Sequence, residues 1–349
     1  MRRLAPFLLV VAGCGSNETP PSAAVDDAST SEVATTETGT SDAGRDADTA
    51  PEEVPPPPVP KTLAETGLYS DFAAKTLAPG VLAYDVRFPL WSDGADKARF
   101  LLVPAGKTIV TTDVDHWVYP VGTKAWKEFR VGGKLVETRF LEKTGEGPIG
   151  WRYGAYVWSA DGTSATAAPS GVVNALGTTH DVPDQAACEN CHSGTADGLI
   201  GPGAIQLSDD KGTLANLASK GLFDKAPTGT FAVPGTGVVQ EVLGYLHGNC
   251  GYCHSDKGRW ATVRALRLKV PVGITDPAKT PTYLTTINKP MAHADPAGNP
   301  FIGVVPGDAS KSHLYMRITK RDFWAMPPVG SKVVDDAAAA KVKSWIEGL

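Results

Sequence analysis

Alternation of apolar and polar residues is the clearest pattern in the middle of the chain. Short alternating runs, separated by Gly, Pro and Asp, extend from about residue 81 to residue 174, and this is the period of half-buried β-strands. Two of the runs flank Gly132-Gly133, and another precedes Asp161-Gly162, which are dipeptides typical of tight hairpins. The pattern predicts a β-rich domain over residues 61–175, either a sandwich or a small barrel.

After residue 175 the period becomes helical. Apolar residues recur at helical spacing over 237–248, and this segment runs directly into Cys250. Near the C-terminus Asp335 can cap a helix whose apolar face holds Ala338, Val342, Trp345 and Ile346. Two helices that bracket a cysteine motif are typical of cytochrome c. We therefore expect an α+β multidomain protein, with a first cysteine-motif region over 176–235 and a cytochrome c-like domain over 236–349.

The first fourteen residues, MRRLAPFLLVVAGC, combine two arginines with a short apolar run, which indicates an export signal. The run is too short to span a bilayer as a helix. Its end, Val11-Ala12-Gly13-Cys14, resembles a bacterial lipobox, so residues 1–13 are predicted to be a lipoprotein signal peptide and Cys14 the acylated residue. The alternative is an ordinary signal peptide with an incidental cysteine. By resemblance to well-studied lipoproteins, Gly15 rather than Asp after the cysteine favours the outer membrane, facing the periplasm or the cell surface.

Charge is concentrated in residues 14–60, an acidic segment rich in Ser, Thr and Ala that ends in a proline run. This composition predicts a disordered tether between the lipid anchor and the folded part. The net charge of the chain is -5, and the rest of the chain is close to neutral. The sequence therefore contains no basic face for nucleic acid.

The four cysteines after Cys14 form two copies of one motif. They are Cys188-Glu189-Asn190-Cys191-His192 and Cys250-Gly251-Tyr252-Cys253-His254, and C-x-x-C-H is the attachment sequence of c-type haem. Because residues i and i+3 share a helix face, both thiols can reach the two vinyl groups on one porphyrin edge. The adjacent histidine, His192 or His254, then gives the iron an axial nitrogen ligand. The sequence predicts two covalently bound haems c.

Two other readings of the cysteines remain open at this stage. Two C-x-x-C pairs can form one Cys₄ zinc site, although structural zinc sites favour closer pairs and leave both following histidines unexplained. Two disulfides also suit an oxidising compartment outside the cytoplasm.

Met326, in Ala325-Met326-Pro327-Pro328 just before the terminal helix, is the predicted second axial ligand of one haem iron. A thioether ligand favours ferrous iron and raises the reduction potential, although a methionine can also simply fill a gap between helices. The second ligand of the other haem is not readable from the sequence. Its candidates are His180, His293, His313 and Met291.

The chain resembles a family of bacterial dihaem c-type cytochrome lipoproteins over roughly residues 80–349. The resemblance is carried by these segments, in order: FPLWSDGADKARFLLVPAG at 88–106, YPVGTKAWKEF at 119–129, VPDQAACENCH at 182–192, GYLHGNCGYCH at 244–254, VVPGDASKSHLYMRI at 304–318 and AMPP at 325–328. It implies haem binding and electron transfer, and it supplies no substrate.

These observations predict a membrane-anchored dihaem cytochrome that passes electrons between redox partner proteins in the cell envelope. No catalytic residue is expected beyond the haem irons. One alternative is a haem-dependent oxidoreductase, either peroxidase-like or the electron-accepting subunit of a dehydrogenase. The other is a binding module without haem, in which the cysteines are structural.

Overall fold

Residues 57–192, 195–258 and 261–349 are described by this computed structural model, and they form an α+β fold. The predicted signal peptide, Cys14 and all but the last residues of the predicted tether lie outside these ranges. Residues at the end of the tether already contact the sheet, since the Tyr156 hydroxyl donates to Pro60 O at 2.9 Å.

A six-stranded antiparallel sheet dominates the first half of the described chain. Its strands follow one another in sequence order, and their connections range from the two-residue turn Gly132-Gly133 to the long segment 103–123. A small hairpin precedes the sheet. The strands are β1 (Tyr69–Asp71) and β2 (Thr76–Leu77) in that hairpin, then β3 (Leu82–Tyr84), β4 (Asp96–Leu102), β5 (Lys124–Val131), β6 (Lys134–Lys143), β7 (Trp151–Trp158) and β8 (Ala165–Ala167) in the sheet.

The predicted hairpin at Gly132-Gly133 is confirmed. Both glycines have positive φ, 56° and 79°, as a two-residue turn that matches the twist of the strands requires. The predicted sandwich or barrel was wrong, because the sheet is open, with β3 and β8 at its edges. Alternation within a strand reports that a face is covered, and it does not report what covers it.

Both faces of this sheet are buried, each by a different layer. On one face Phe100, Trp126, Phe140 and Tyr156 pack with the preceding segment through Leu63 and Leu68. On the other face Leu101, Ala125, Leu141 and Tyr153 share a core with helical residues that include Cys188, Ile205 and Leu243. Strand residues two apart point to the same face, so the second set defines the side of the sheet that faces the first cysteine motif.

The second half of the described chain is mainly helical. Its elements are α1 (Gln185–His192), α2 (Ala204–Leu207), α3 (Thr213–Ser219), α4 (Gly237–Asn249), α5 (Pro281–Thr286), the hairpin β9 (Pro290–Ala294) and β10 (Pro300–Ile302), α6 (His313–Ile318) and α7 (Asp336–Glu347). No helix within the described ranges has the length and apolar character needed to cross a bilayer.

Helices α4 and α7 agree with the sequence analysis. The Asp335 carboxylate accepts a hydrogen bond from Ala338 N at 3.0 Å and caps α7. The apolar face of α7 packs through Val342, Trp345 and Ile346 against Leu246 of α4. The helix that precedes the second cysteine motif is thereby fixed to the C-terminal helix.

Candidate functional site

The first C-x-x-C-H motif forms the C-terminal half of α1. Asp184 begins this helix, and its side chain accepts from Ala187 N at 2.8 Å. Cys188 is buried in the core that α1 shares with the sheet. Burial raises the pKa of the Cys188 thiol to about 11, and the nearby Arg139 guanidinium of β6 opposes this rise. The helix therefore presents Cys188, and Cys191 one turn later, on the side of the sheet that carries Arg139.

A hydrogen bond to the backbone fixes the ring of His192. Its Nδ1 lies 2.6 Å from Gly198 O, and because a carbonyl only accepts, Nδ1 carries the proton and Nε2 keeps its lone pair. A ligand histidine commonly donates its other N–H to a backbone carbonyl in this way. Burial lowers the pKa of His192 to about 3, so the ring is neutral. Its ring centroid lies 4.9 Å from that of Tyr153 on β7.

A buried ion pair anchors the segment that supplies the Gly198 carbonyl. Lys143 Nζ, at the end of β6, lies 2.7 Å and 2.9 Å from the two carboxylate oxygens of Asp197. Lys143 also donates to Tyr119 O at 2.7 Å, and Asp197 accepts from Tyr119 N at 2.6 Å. Side-chain exposure is 0% for Lys143 and 2% for Asp197, so the sheet fixes the residue next to the partner of His192.

The second motif lies in the turn that follows α4. Cys250 N closes the helix on Leu246 O, and His254 N donates to Cys250 O at 2.9 Å. Burial raises the pKa of the Cys250 thiol to about 12. A Cβ at Gly251 would lie 2.6 Å from His247 O and 2.9 Å from Lys269 Cα. Only glycine fits at this position of the motif.

Arginines surround His254. Burial lowers the pKa of His254 to about 4, and the charges of Arg267, Arg317 and Arg264 lower it further. His254 is thus neutral, and its Nδ1 is buried without a hydrogen-bond partner.

A cluster of aromatic and histidine rings adjoins Arg317. Its guanidinium lies 5.3 Å from the Trp324 ring, and Trp324 contacts His293 at 5.4 Å between centroids. His313 stacks on Phe301 at 4.7 Å. A hydrogen bond from Met326 N to Arg317 O, at 2.9 Å, places Met326 at the edge of this region. The residue is half-buried there. The structure brings Met326 to the side of the molecule that carries the second motif.

The remaining candidates for a second axial ligand divide between two regions. His180 Nε2 lies 2.6 Å from the buried Glu137 carboxylate, so that nitrogen is already engaged. Met291 and His293 occupy alternate, half-buried positions of β9. His313 is buried, and its Nε2 has no hydrogen-bond partner. Of the four candidates, His313 therefore has the nitrogen, Nε2, that is best placed to bind a metal ion.

The two motifs approach each other through Tyr252. The Tyr252 hydroxyl donates to Gly201 O at 3.4 Å, within the segment that follows the first motif. Residues 195–202 and residues 251–257 line one cavity of about 60 Å³. Groups attached at the two motifs would therefore lie on neighbouring segments.

The described residues do not bring the cysteines into one metal centre. Within 57–192, 195–258 and 261–349, no group of three or more His, Cys, Asp or Glu side chains could hold a metal ion. Cys188 and Cys250 each have a free thiol. Cys188 packs in the core between α1 and the sheet, whereas Cys250 packs in the core around α4 and α7, so the two motifs lie in different parts of the described fold.

Unsatisfied polar atoms fit a large group at both motifs. The Tyr153 hydroxyl beside His192, His313 Nε2 and Arg317 Nε are buried without a hydrogen-bond partner. Such atoms cost free energy, and a water, an ion or a bound group can supply the missing partner. The residues present are compatible with haem at each motif.

Comparison with known proteins gave no match to a family model, to a curated protein or to a solved structure.

Several residues of the site were not identified from the sequence. They are Gly198, the Lys143–Asp197 pair and the cations of the sheet, Arg99, Lys127 and Arg139. The contacts of Gly198 and Asp197 join distant parts of the chain, and no local pattern marks them. The cations could have been identified from the sequence, because each lies two residues from a buried apolar residue of the same strand, Leu101, Ala125 or Leu141, and so points to the same face of the sheet.

Proposed function

We propose that this protein is a c-type cytochrome. Within that class, it is a dihaem electron carrier of the cell envelope, anchored to a membrane by an acylated Cys14. The observation that carries the proposal is the hydrogen bond from His192 Nδ1 to Gly198 O at 2.6 Å. This hydrogen bond leaves Nε2 of the neutral His192 imidazole available. The histidine directly follows two thiols on one helix face. An axial haem ligand beside a thioether attachment requires both features.

Each motif would hold one haem through the same division of roles. Cys188 with Cys191, and Cys250 with Cys253, supply the thioether sulfurs. His192 and His254 supply axial nitrogens, and Met326 is the proposed second ligand of the haem at the second motif. Haem, when bound, supplies reversible one-electron chemistry. The protein contributes half-buried, neutral histidines and nearby positive charge that favours the reduced state.

Electron transfer between the two sites is supported by their proximity. Tyr252, inside the second motif, contacts Gly201, nine residues after His192. Two haems on these neighbouring segments can form a relay between a donor and an acceptor protein. Residues 14–60 would let the folded part reach redox partners away from the bilayer.

Covalent haem is the direct test. The full chain is produced in a host that attaches haem c, and haem is counted by a pyridine haemochrome spectrum together with mass spectrometry of the cysteine peptides. We expect two haems per chain on the two motif peptides. The matched variants Cys188→Ala/Cys191→Ala and Cys250→Ala/Cys253→Ala should each retain one haem. Protein without covalent haem would contradict the proposal.

The anchor is tested separately. Cys14→Ser should move the protein from the membrane fraction to the soluble fraction without changing the haem count. Persistent membrane association of Cys14→Ser would show that another anchor exists.

A further inference from the structure

Three cations form a row across the sheet on the side that faces α1. The strand register pairs Arg99 of β4 with Lys127 of β5, and Lys127 with Arg139 of β6. Directly paired residues on adjacent strands point to the same face. Lys97, two residues before Arg99, extends the row on that face. We call Lys97, Arg99, Lys127 and Arg139 the cation row.

The cation row has fewer counter-ions than charges. Arg139 contacts Glu137 at 2.7 Å. Arg99 reaches Asp85 only at 3.5 Å, and Asp85 also binds Lys211. Lys127 forms no ion pair within 4.0 Å with a described residue. Like charges opposite one another in a sheet are destabilising, so this arrangement calls for an anion.

The lowered pKa values of the two lysines in the row indicate that their positive charges are poorly compensated. Arg99 is 5% exposed and Lys127 is half-buried. Burial lowers the pKa of Lys127 to about 7, and the charges of Arg99, Arg139 and Lys97 lower it further. The same two effects lower the pKa of Lys97 to about 8. Surface lysines that are simply solvated would keep their ordinary values.

The row begins at the first motif and leads away from it. Cys188 and Cys191 lie near the Arg139 guanidinium, and the charges of Lys127 and Arg139 help to lower the pKa of His192. At the other end, Lys97 and Arg99 line a cavity of about 540 Å³ whose walls include the aromatic residues Phe88, Trp91 and Tyr245. Two strand spacings, roughly 10 Å in all, separate Arg139 from Arg99.

We propose that the cation row binds the two propionate carboxylates of the haem attached at Cys188 and Cys191. This inference rests on the proposed function. The thioether bonds of a haem c form at one edge of the porphyrin, and the two propionates extend from a different edge. A haem attached beside Arg139 can therefore place its carboxylates near Lys127 and Arg99. The two carboxylates would act as counter-ions for Lys127 and Arg99. Charge-assisted hydrogen bonds from these side chains to the carboxylates would replace their hydrogen bonds to water.

The test compares Lys127→Met in two forms of the full chain. One form carries both haems, and the other carries Cys188→Ala/Cys191→Ala and so lacks only the first haem. Without the first haem, Lys127→Met removes an uncompensated charge and should raise the melting temperature. With that haem bound, the same substitution removes a propionate partner, so it should lower the melting temperature and shift one of the two midpoint potentials downward.

Controls separate this role from a merely structural one. Lys127→Arg keeps the charge and should behave like the unchanged protein in both forms. Lys134→Met, at an exposed position of β6, should have the same small effect in both forms. Lys97→Met provides a second row position if Lys127→Met does not fold. Equal melting shifts in the two forms, with both potentials unchanged, would overturn the inference.

The two proposals fail in different ways. If no haem is found on the Cys188 and Cys191 peptide of the unchanged protein, the proposed function fails at that motif. If the haem is present and Lys127→Met gives no difference between the two forms, only the role of the cation row is lost.

Discussion

The two C-x-x-C-H motifs have identical spacing, and the fold holds them in different ways. The first lies on a short helix against a β-sheet, and its histidine donates to a carbonyl that the sheet fixes through a buried ion pair. The second follows a long helix packed on the C-terminal helix, in a turn so tight that only glycine fits at position 251. The two motifs thus share one spacing, and the tertiary structure gives each of them a different environment.

This difference has an electrostatic consequence. His192 lies near the cation row, with Glu137 as the buried acid beside Arg139. His254 lies among arginines, and Arg267 pairs with the exposed Asp256 at 2.6 Å. Because the two sites differ in charge and in compensation, two haems bound there as proposed are expected to have distinct reduction potentials.

The buried ion pair under the first motif gives the largest predicted effect. Lys143→Met leaves the Asp197 carboxylate buried and unpaired, and removing one partner of such a pair costs about 3–5 kcal/mol. Urea unfolding should show this loss. The double variant Lys143→Met/Asp197→Leu should recover much of it, since two apolar side chains remove both charges together.

An exposed ion pair beside the second motif is the matched control. Lys341 of α7 lies 2.8 Å from Glu241 of α4, with both side chains 54% exposed. Lys341→Met should cost less than about 1 kcal/mol, because solvent screens such pairs. Equal losses for Lys143→Met and Lys341→Met would mean that the Lys143–Asp197 pair does not anchor the first motif.

The variable positions inside the two motifs should differ in tolerance. Gly251→Ala forces a methyl group against backbone atoms of His247 and Lys269, and overpacking of this kind costs about 1–3 kcal/mol. Asn190→Ala, at an exposed position of the first motif, should change the free energy of unfolding by less than about 0.5 kcal/mol. Similar effects of the two substitutions would contradict the close packing around the second motif.

Local sequence signals anticipated the second motif region better than the first. Helix α4, helix α7 and the Asp335 cap follow from periodicity and capping chemistry, which depend on residues close in sequence. The Gly198 carbonyl that accepts from His192 is fixed through the Lys143–Asp197 ion pair, which joins residues 54 positions apart. No periodicity in the sequence encodes such a contact. The strands were predictable for the same local reason as the helices, whereas the layers that cover the sheet were not.

A buried histidine of α4 should make stability sensitive to pH. His247 Nδ1 accepts from Val270 N at 3.1 Å, and burial lowers the pKa of His247 to about 3, with a further contribution from Lys269. The unfolded chain binds a proton near pH 6.5, so stability is full above that pH and falls as the pH drops from about 6.5 towards 3. Urea unfolding between pH 7 and pH 5 measures the slope.

His247→Asn keeps an acceptor for Val270 N and removes the titrating ring. Its stability should depend less steeply on pH than that of the unchanged protein. The same substitution at the more exposed His116 controls for the general loss of a histidine. An unchanged slope in His247→Asn would assign the acid sensitivity to other groups.

The smallest effect on stability, and the most specific readout, is expected at Met326. This residue is half-buried beside Arg317, so Met326→Ala removes few contacts. If its thioether binds the iron of the second haem, Met326→Ala should lower one midpoint potential and leave the other in place. The rival ligand is His313, which the sequence offered for the other haem but which lies near Arg317, as Met326 does. Its buried Nε2 has no hydrogen-bond partner. A redox titration in which His313→Ala shifts that potential and Met326→Ala does not would transfer the ligand role to His313.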